Sequence, residues 1–528
     1  MRIKCVVAAV VGLVLSLASQ MHAQSAVGQE ARQAAARRAI ERLAELTTAV
    51  RGAGNGAGPG NLLAIAAERR ALMLSVMESS PAAALQLSLP AQTRAALPPA
   101  VQALIEADAL VEGSIEILYE DSDSGSTLRR YLRVQNARLS VHFGSEPPEM
   151  LSDDHVRIRG KRLDNVLAAD GEGAVVVQAA SALPYTFGEQ RALMILVNFS
   201  DKMTQPYTTA AAHNMIFTTV NDFDAENSQD QIWFTGDVAG WFTIAANSTV
   251  CDSNAIRSQA QAAAQAAGIS LSSYRRFIYA FPQNACTWWG LGQVGGSTTH
   301  AWINGTLALR VAAHELGHNL GVYHSNALEC GSTTLGASCS TIEYGDPADI
   351  MGNSGLVAHF NAFQKERMGW LNYGGSLPIL TVQGSGVYSI EPYAGTGTGA
   401  KALKILKSVD SLGRRTWYYV EQRVATGADS ALSTRPGLTN GVIVHTGSEA
   451  TGNSSFTLDM TPETSSWADA ALPVGRSFYD PASGVRITPI SVGPGGASVD
   501  VQVGDLACVA AAPSVTLSPA QGPLVAAG

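Results

Sequence analysis

At 528 residues the chain is too long for one ordinary core, and about three domains is the expected number. Hydrophobic residues at 46% and charged residues at 15% describe a globular protein. The formal net charge of −9 leaves no basic footprint for nucleic acid and speaks mainly to solubility.

The N-terminus reads as a processing segment over residues 1–23. Arg2 and Lys4 form a positive n-region, Cys5 to Ala18 make an apolar run, and Ser19 to Ala23 supply a small, polar exit with cleavage near Ala23. The run is short for a membrane span and no later segment is longer and apolar enough, so export to the extracellular side without a transmembrane anchor is expected. In that compartment disulfides persist. The remaining cysteines are Cys251, Cys286, Cys330, Cys339 and Cys508. Cys330 and Cys339 bracket a short loop and are expected to close it. Cys251 and Cys286 are the next pair, which leaves Cys508 for a partner beyond the chain or free.

Residues 24–186 are expected to form a helical and β region that serves as a propeptide. EARQAAARRAIERLAEL has the propensity and period of a helix. A Gly-rich break from Arg51 to Gly60 separates it from a second helical run, NLLAIAAERRALMLSVMESS. Then the period changes to two. SIEILYE, LRRYLRVQ, ARLSVHF and HVRIRGKRL alternate as strands of a small β-domain from Gly113 to about Val177, with turns at Asp121 to Ser126 and Gly144 to Pro148.

Residues 187–375 read as an α/β domain. RALMILVNFSD suits a buried strand, His213 to Phe223 a helix, QIWFTGDVAGWFTI a strand, Asn254 to Gly268 a helix and YRRFIYAFP a strand. The segment CTWWGLGQVGGSTTHAWING is expected to supply an exposed edge strand for an extended substrate, with Trp302 as a candidate contact and His300 as a loop histidine.

RVAAHELGHNLGVYHS follows and places His314, Glu315, His318, Gly321 and His324 in the spacing H-E-x-x-H-x-x-G-x-x-H. Residues four apart share a helix face, so His314 and His318 can point at one ion, and Glu315 projects beside it as a general base. Gly321 can take the left-handed conformation that ends a helix and turns the chain, bringing His324 in from another side. Three imidazoles leave a fourth position open, the mark of a catalytic zinc site. Because no cysteine lies between Cys5 and Cys251, a thiolate from the N-terminal region cannot fill that position; Asp153, Asp154 and His155 are the alternative candidates. Downstream, EYGDPADIMGNSG brings Met351 to a turn below the three histidines. Asn361 can cap a short helix with Gln364 at N3, ended by Gly369. A pocket wall is expected around Asn353 to Leu356.

HELGHNLGVYH, EYGDPADIMG and FNAFQKERMGWL together resemble the gametolysin-type metallopeptidases of the metzincin clan, and QIWFTGDVAGWFTI fits the same group. The resemblance covers about Glu189 to Leu371 well. It implies a multidomain protein with a metzincin-like zinc peptidase domain, one catalytic zinc held by His314, His318 and His324, Glu315 as catalytic acid/base and Met351 as the structural Met-turn residue. It also implies a protein or peptide substrate, since the family includes enzymes acting on extracellular matrix or cell-wall glycoproteins.

Residues 376–506 carry short strands with Gly, Asn and Asp turns, the pattern of a β-sandwich. His445 is expected to be structural there. Asp459, Glu421 and Asp480 have no assigned role, and calcium is possible without a loop motif to support it. Residues 507–528 look like a linker or the start of a truncated further domain. The expected activity is hydrolysis of peptide bonds by a secreted zinc endopeptidase. Its rivals are an adhesin or carbohydrate-binding protein on an inactive metzincin fold and a non-proteolytic zinc hydrolase. The intact Glu315 counts against the first, because a decoy has no need of a general base.

Overall fold

The computed structural model describes residues 34–52, 59–135, 137–178, 185–352, 355–395 and 397–504. The expected export segment, the centre of the Gly-rich break, the stretch just before Tyr185, Asn353 and the tail with Cys508 lie outside the described residues. Among the described residues no helix is long and apolar enough to cross a membrane.

Two units are distinguished. The first holds residues up to Glu120, Thr127–Pro184 and Gln293–Ser297; the second holds Asp121–Ser126, Tyr185–Gly292 and Thr298 onward. In the first, helix α1 (34–52) and helix α2 (Pro59–Ser79) are followed by three shorter helices, α3 (Pro81–Leu87), α4 (Ala91–Ala95) and α5 (Pro99–Gln102). Arg69, fully buried on α2, donates both terminal nitrogens to the buried Glu106 carboxylate, a bidentate pair at 2.7 and 2.9 Å. Five strands follow, β1 (Ala107–Ser122), β2 (Gly125–Val134), β3 (Ala137–Phe143), β4 (His155–Leu163) and β5 (Val166–Gln178). They pair in the order β2-β3-β5-β4-β1, and β1 also pairs with β2, closing a small ring. Leu43, Met73, Val76 and Met77 of the helices pack on Leu163, Val166 and Ala168 of the strands. The alternation read from the sequence is therefore strand, starting earlier than expected at Ala107.

In the second unit, strands β6 (Gly188–Phe199), β7 (Ile232–Ile244), β8 (Arg276–Phe281), β9 (Gly290–Gln293) and β10 (Thr299–Asn304) form a sheet in the order β9-β10-β8-β6-β7. Strands β7, β6, β8 and β10 are parallel; β9 runs antiparallel to β10. Parallel pairing needs crossovers, and helices supply them. Helix α6 (Thr209–Asn214), a π turn over Met215–Val220 and helix α7 (Asn221–Ser228) connect β6 to β7. Helix α8 (Ser253–Ala266), capped by Asp252, connects β7 to β8. A strand covered on both faces must be apolar throughout, and Ala192 to Val197 of β6 are all fully buried. His300 and Trp302 sit within β10, between β8 and β9. Trp302 is therefore not on an exposed edge: its indole is 1% exposed and donates to the Ser253 carbonyl, and His300 is a buried strand residue rather than a loop histidine.

Helix α9 (Leu309–Asn319) lays Val311, Ala312, Leu316 and Leu320 on Met194, Leu196, Ile278 and Ile303 of this sheet. Beyond it lie β11 (Ser325–Glu329), β12 (Ser340–Ile342) and helix α10 (Ala362–Arg367), whose N-cap Asn361 accepts from the Gln364 backbone as expected. Gly369 follows at φ +74°, the expected stop. The remaining strands are β13 (Ile379–Thr381), β14 (Gly386–Ile390), β15 (Ala402–Val409), β16 (Arg415–Glu421), β17 (Gly441–Ser448), β18 (Thr451–Leu458), β19 (Leu472–Pro473), β20 (Phe478–Asp480), β21 (Val485–Gly493) and β22 (Gly496–Val503). They make two packed sheets. One runs β12-β11-β18-β17-β16-β15-β13 with β19 on β17, the other β14-β22-β21-β20. Leu403, Tyr418, Val444 and Leu458 of the first face Ile390, Phe478, Ile487 and Val499 of the second. The sheet begins directly after His324, because β11 pairs in parallel with β18 from Ser325 opposite Ser455. Disulfides Cys251–Cys286 and Cys330–Cys339 are both formed.

Candidate metal centre

Helical pitch places His314 and His318 on one face of α9. The helix ends at Gly321, whose φ of +93° is open to glycine and strained for other residues. The chain turns there and returns His324 to the first two. All three histidines are buried, and each turns its Nδ1 outward to an acceptor. His314 donates to the Ile350 carbonyl at 2.9 Å, His318 to the Val322 carbonyl at 2.9 Å and His324 to Glu343 Oε1 at 3.2 Å. An Nδ1 that donates leaves Nε2 as a bare acceptor. The three Nε2 atoms then converge, with those of His318 and His324 3.2 Å apart.

A fourth group joins them. Asp121, at the end of β1 and fully buried, sets Oδ1 3.0 Å from His324 Nε2, and Oδ2 3.4 Å from His318 Nε2 and 3.7 Å from His314 Nε2. One ligand atom from each of the four residues lies within 4.8 Å of the others. A tetrahedron with bonds of about 2.0–2.1 Å has edges of about 3.3 Å, so these separations fit a zinc-sized ion. The unmet polar atoms agree. His314 Nε2 and Asp121 Oδ2 are buried without a hydrogen bond, an arrangement that costs free energy unless a cation answers them.

Glu315 is fully buried beside this cluster, and neither carboxylate oxygen has a hydrogen bond. Burial, reinforced by the Asp121 charge, pushes it well above the ordinary carboxylate range. Burial holds His314 down to about 3, which keeps its imidazole neutral, the form that binds metal. Burial opposes the charge on Asp121, but His324 and His318 outweigh it and hold that carboxylate low. Strand β9 makes room for Glu315 by having no side chains there. A Cβ on Gly290 would stand 1.7 Å from Glu315 Oε1, and one on Gly292 2.7 Å from Oε2 and 2.8 Å from His318 Cβ. Met351 is fully buried behind α9, where a Cβ on Gly317 would meet its Sδ at 2.6 Å. Its carbonyl accepts from Ser325 N, tying the turn to the residue after His324.

His314, Glu315, His318 and His324 are thus gathered at one point, with Met351 behind α9 and Gly321 at the turn. The candidates proposed for the open position are not there. Asp153 accepts from Ser297, Asp154 from Leu151 N, and His155 pairs with Glu112. Sequence reasoning missed Asp121, although it marked a turn at Asp121 to Ser126. It also missed Tyr344, whose hydroxyl donates to Asp121 Oδ1 and whose ring centroid lies 4.2 Å from that of His324. Both Tyr344 and Glu343 stand in the EYGDPADIMG stretch, which was the available signal. The three carboxylates with no assigned role are held by protein groups: Glu421 by Arg423 and Tyr393, Asp480 by Tyr418, and Asp459 by Thr461. His445 is fully buried in β17 against Asp346, a structural position.

No curated protein matches the chain. Among solved structures it is similar to one described as "Structure of a chaperone-substrate complex", at 14% identity and a TM-score of 0.17, a likeness too slight to carry an argument. The match covers 38% of this chain and 28% of that one. A family model described as "Gametolysin peptidase M11" matches residues 202–465, half of the sequence and all three histidines of the cluster. The chain belongs to the gametolysin M11 family of metallopeptidases.

Proposed function

We propose that the protein is a secreted zinc endopeptidase of metzincin type, exported by residues 1–23, with a propeptide over 24–186, a catalytic domain over 187–375 and a β-sandwich domain over 376–506. His314, His318 and His324 would hold the zinc, Glu315 would act as general acid/base, Met351 would be the Met-turn, and the substrate would be a protein or peptide. One observation carries the reading: three Nε2 atoms converge, each with its Nδ1 committed to an acceptor, beside a buried carboxylate that has no hydrogen-bond partner.

When bound, zinc supplies Lewis-acid polarisation and acidifies water. The rest falls to the chain. Ile350, Val322 and Glu343 hold the imidazoles in one tautomer and orientation, as partners of metal-binding histidines do. Glu315, raised by burial, accepts a proton from the attacking water and returns it to the departing amine. The β9 backbone at Gly290 and Gly292 passes against Glu315, where an extended peptide would lie.

The test pairs wild type with Glu315→Gln, both produced with their own export segment, cut ahead of β6 and loaded with zinc. Wild type is expected to cleave casein, and Glu315→Gln to retain one zinc per chain while losing at least about 100-fold in rate. Equal rates in the two, or no stoichiometric zinc in either, would overturn the reading.

A further inference from the structure

We propose that Asp121 is an internal latch: its carboxylate takes the fourth ligand position of the three-histidine site, and the hairpin tip Asp121–Ser126 holds it there, so that the intact chain is latent until the tip leaves. The inference rests on the metallopeptidase reading above and concerns the regulation of that same site.

Position comes first. The carboxylate stands 3.0–3.7 Å from all three Nε2 atoms, the spacing a fourth tetrahedral ligand would keep from its neighbours. That is the position a catalytic site leaves open. The carboxylate is fully buried, and its Oδ2 lacks a hydrogen bond while it faces the Nε2 atoms of His314 and His318. A buried carboxylate is costly to take out of water unless a cation or donors answer it.

The chain around it is held at three further points. The Asp121 carbonyl accepts from Trp289 N, the residue that leads into β9, at 2.8 Å. Main-chain bonding at this place is what an extended substrate would make, so the latch occupies substrate's backbone path as well as the ligand position. Tyr344 donates to Asp121 Oδ1. At the far end of the tip, Ser126 donates both N and Oγ to Glu343, the carboxylate that also receives His324 Nδ1. The contact that orients one metal-binding histidine therefore also anchors the latch. All of these residues lie in the second unit, to which Asp121–Ser126 itself belongs. The tip precedes β6 in the sequence, so a cut ahead of β6 that frees the preceding chain would free the latch. This is latency by a carboxylate, in a chain with no cysteine between Cys5 and Cys251.

The experiment uses full-length chain carrying Glu315→Gln, so that no sample digests itself, with the metal replaced by cobalt. The visible spectrum is titrated with acetohydroxamate in the parent and in Asp121→Ala and Asp121→Asn; the second variant keeps the side chain's shape should the first fail to fold. If the latch is closed about 99% of the time, acetohydroxamate should bind the parent about 100-fold more weakly than the variants. In the Glu315 background, Asp121→Asn should also raise casein cleavage by the uncut chain about 10-fold or more. Cobalt bound in all samples with equal acetohydroxamate affinity would overturn the latch and leave the peptidase reading standing. Failure of every sample to take up cobalt would overturn both.

Discussion

Gly290 and Gly292 test the site because the same added methyl group should do two different things two residues apart. On Gly290 the new Cβ would stand 1.7 Å from Glu315 Oε1, whereas real Cβ contacts do not fall below 3.0 Å. The carboxylate must retreat by about 1.3 Å. It lies at the end of a flexible side chain with no hydrogen bond to break, so the fold should accept Gly290→Ala. A misplacement of about 1 Å in a catalytic group costs about 100-fold in rate. Gly290→Ala is therefore expected to lower the casein rate about 100-fold with zinc affinity unchanged. On Gly292 the Cβ would meet Glu315 Oε2 at 2.7 Å and, in addition, His318 Cβ at 2.8 Å, an atom fixed to the helix backbone, and its ring Cδ2 at 3.0 Å. Gly292→Ala should loosen zinc by about 10-fold or more, through the ligand itself. Rates and zinc affinity by competition with a chelator are measured for both variants, in wild-type and Asp121→Ala backgrounds so that the closed latch does not hide the effect. If Gly290→Ala loses zinc as readily as Gly292→Ala, or keeps its full rate, the placement of Glu315 against β9 is wrong.

Two further outcomes follow from the same packing. Gly317→Ala should gain up to about 1 kcal/mol in helix propensity but collide with Met351 Sδ at 2.6 Å and Phe360 at 3.0 Å; overpacking of about 1–3 kcal/mol wins, so Tm should fall. That loss should vanish in a Met351→Ala background, and a higher Tm for the single variant would refute the contact. The buried pair of His445 Nε2 and Asp346 Oδ2, 2.7 Å apart, predicts a pH window. Burial opposes charge on both, but Asp346 holds the His445 pKa up and His445 holds the Asp346 pKa down. The histidine's share is complete below its unfolded pKa of about 6.5 and is lost as pH rises through the folded value. The aspartate's share is present above about 3.9 and is lost as pH falls through its depressed value. The Tm gap between wild type and His445→Gln should be widest at about pH 4–6.5 and shrink above neutrality; a gap that grows toward pH 9 would sink the assignment.

Local pattern carried much of the fold. The apolar run at Arg191–Asp201, the Asn361 cap and the two disulfides behave as their residues imply, since burial, capping and short loops are decided by near neighbours. Trp302 and His300 went astray for an equally physical reason. Their segment holds two strands, β9 and β10, and nothing in its composition says that Trp302 and His300 fall on the one flanked by β8 and β9.

The histidine half of the candidate site is written in one stretch, because helix pitch and one glycine turn suffice to aim His314, Glu315, His318 and His324. The pairing of β11 with β18 is not written there, nor is the arrival of Tyr344 and Asp121. Asp121 carries no period and no spacing to the motif; it is a ligand candidate only because the β1–β2 turn brings it to the histidines. What the residues say alone is that a zinc peptidase site can form. That a buried aspartate, Asp121, stands beside the three histidines is a matter of long-range contact, which only the folded chain supplies.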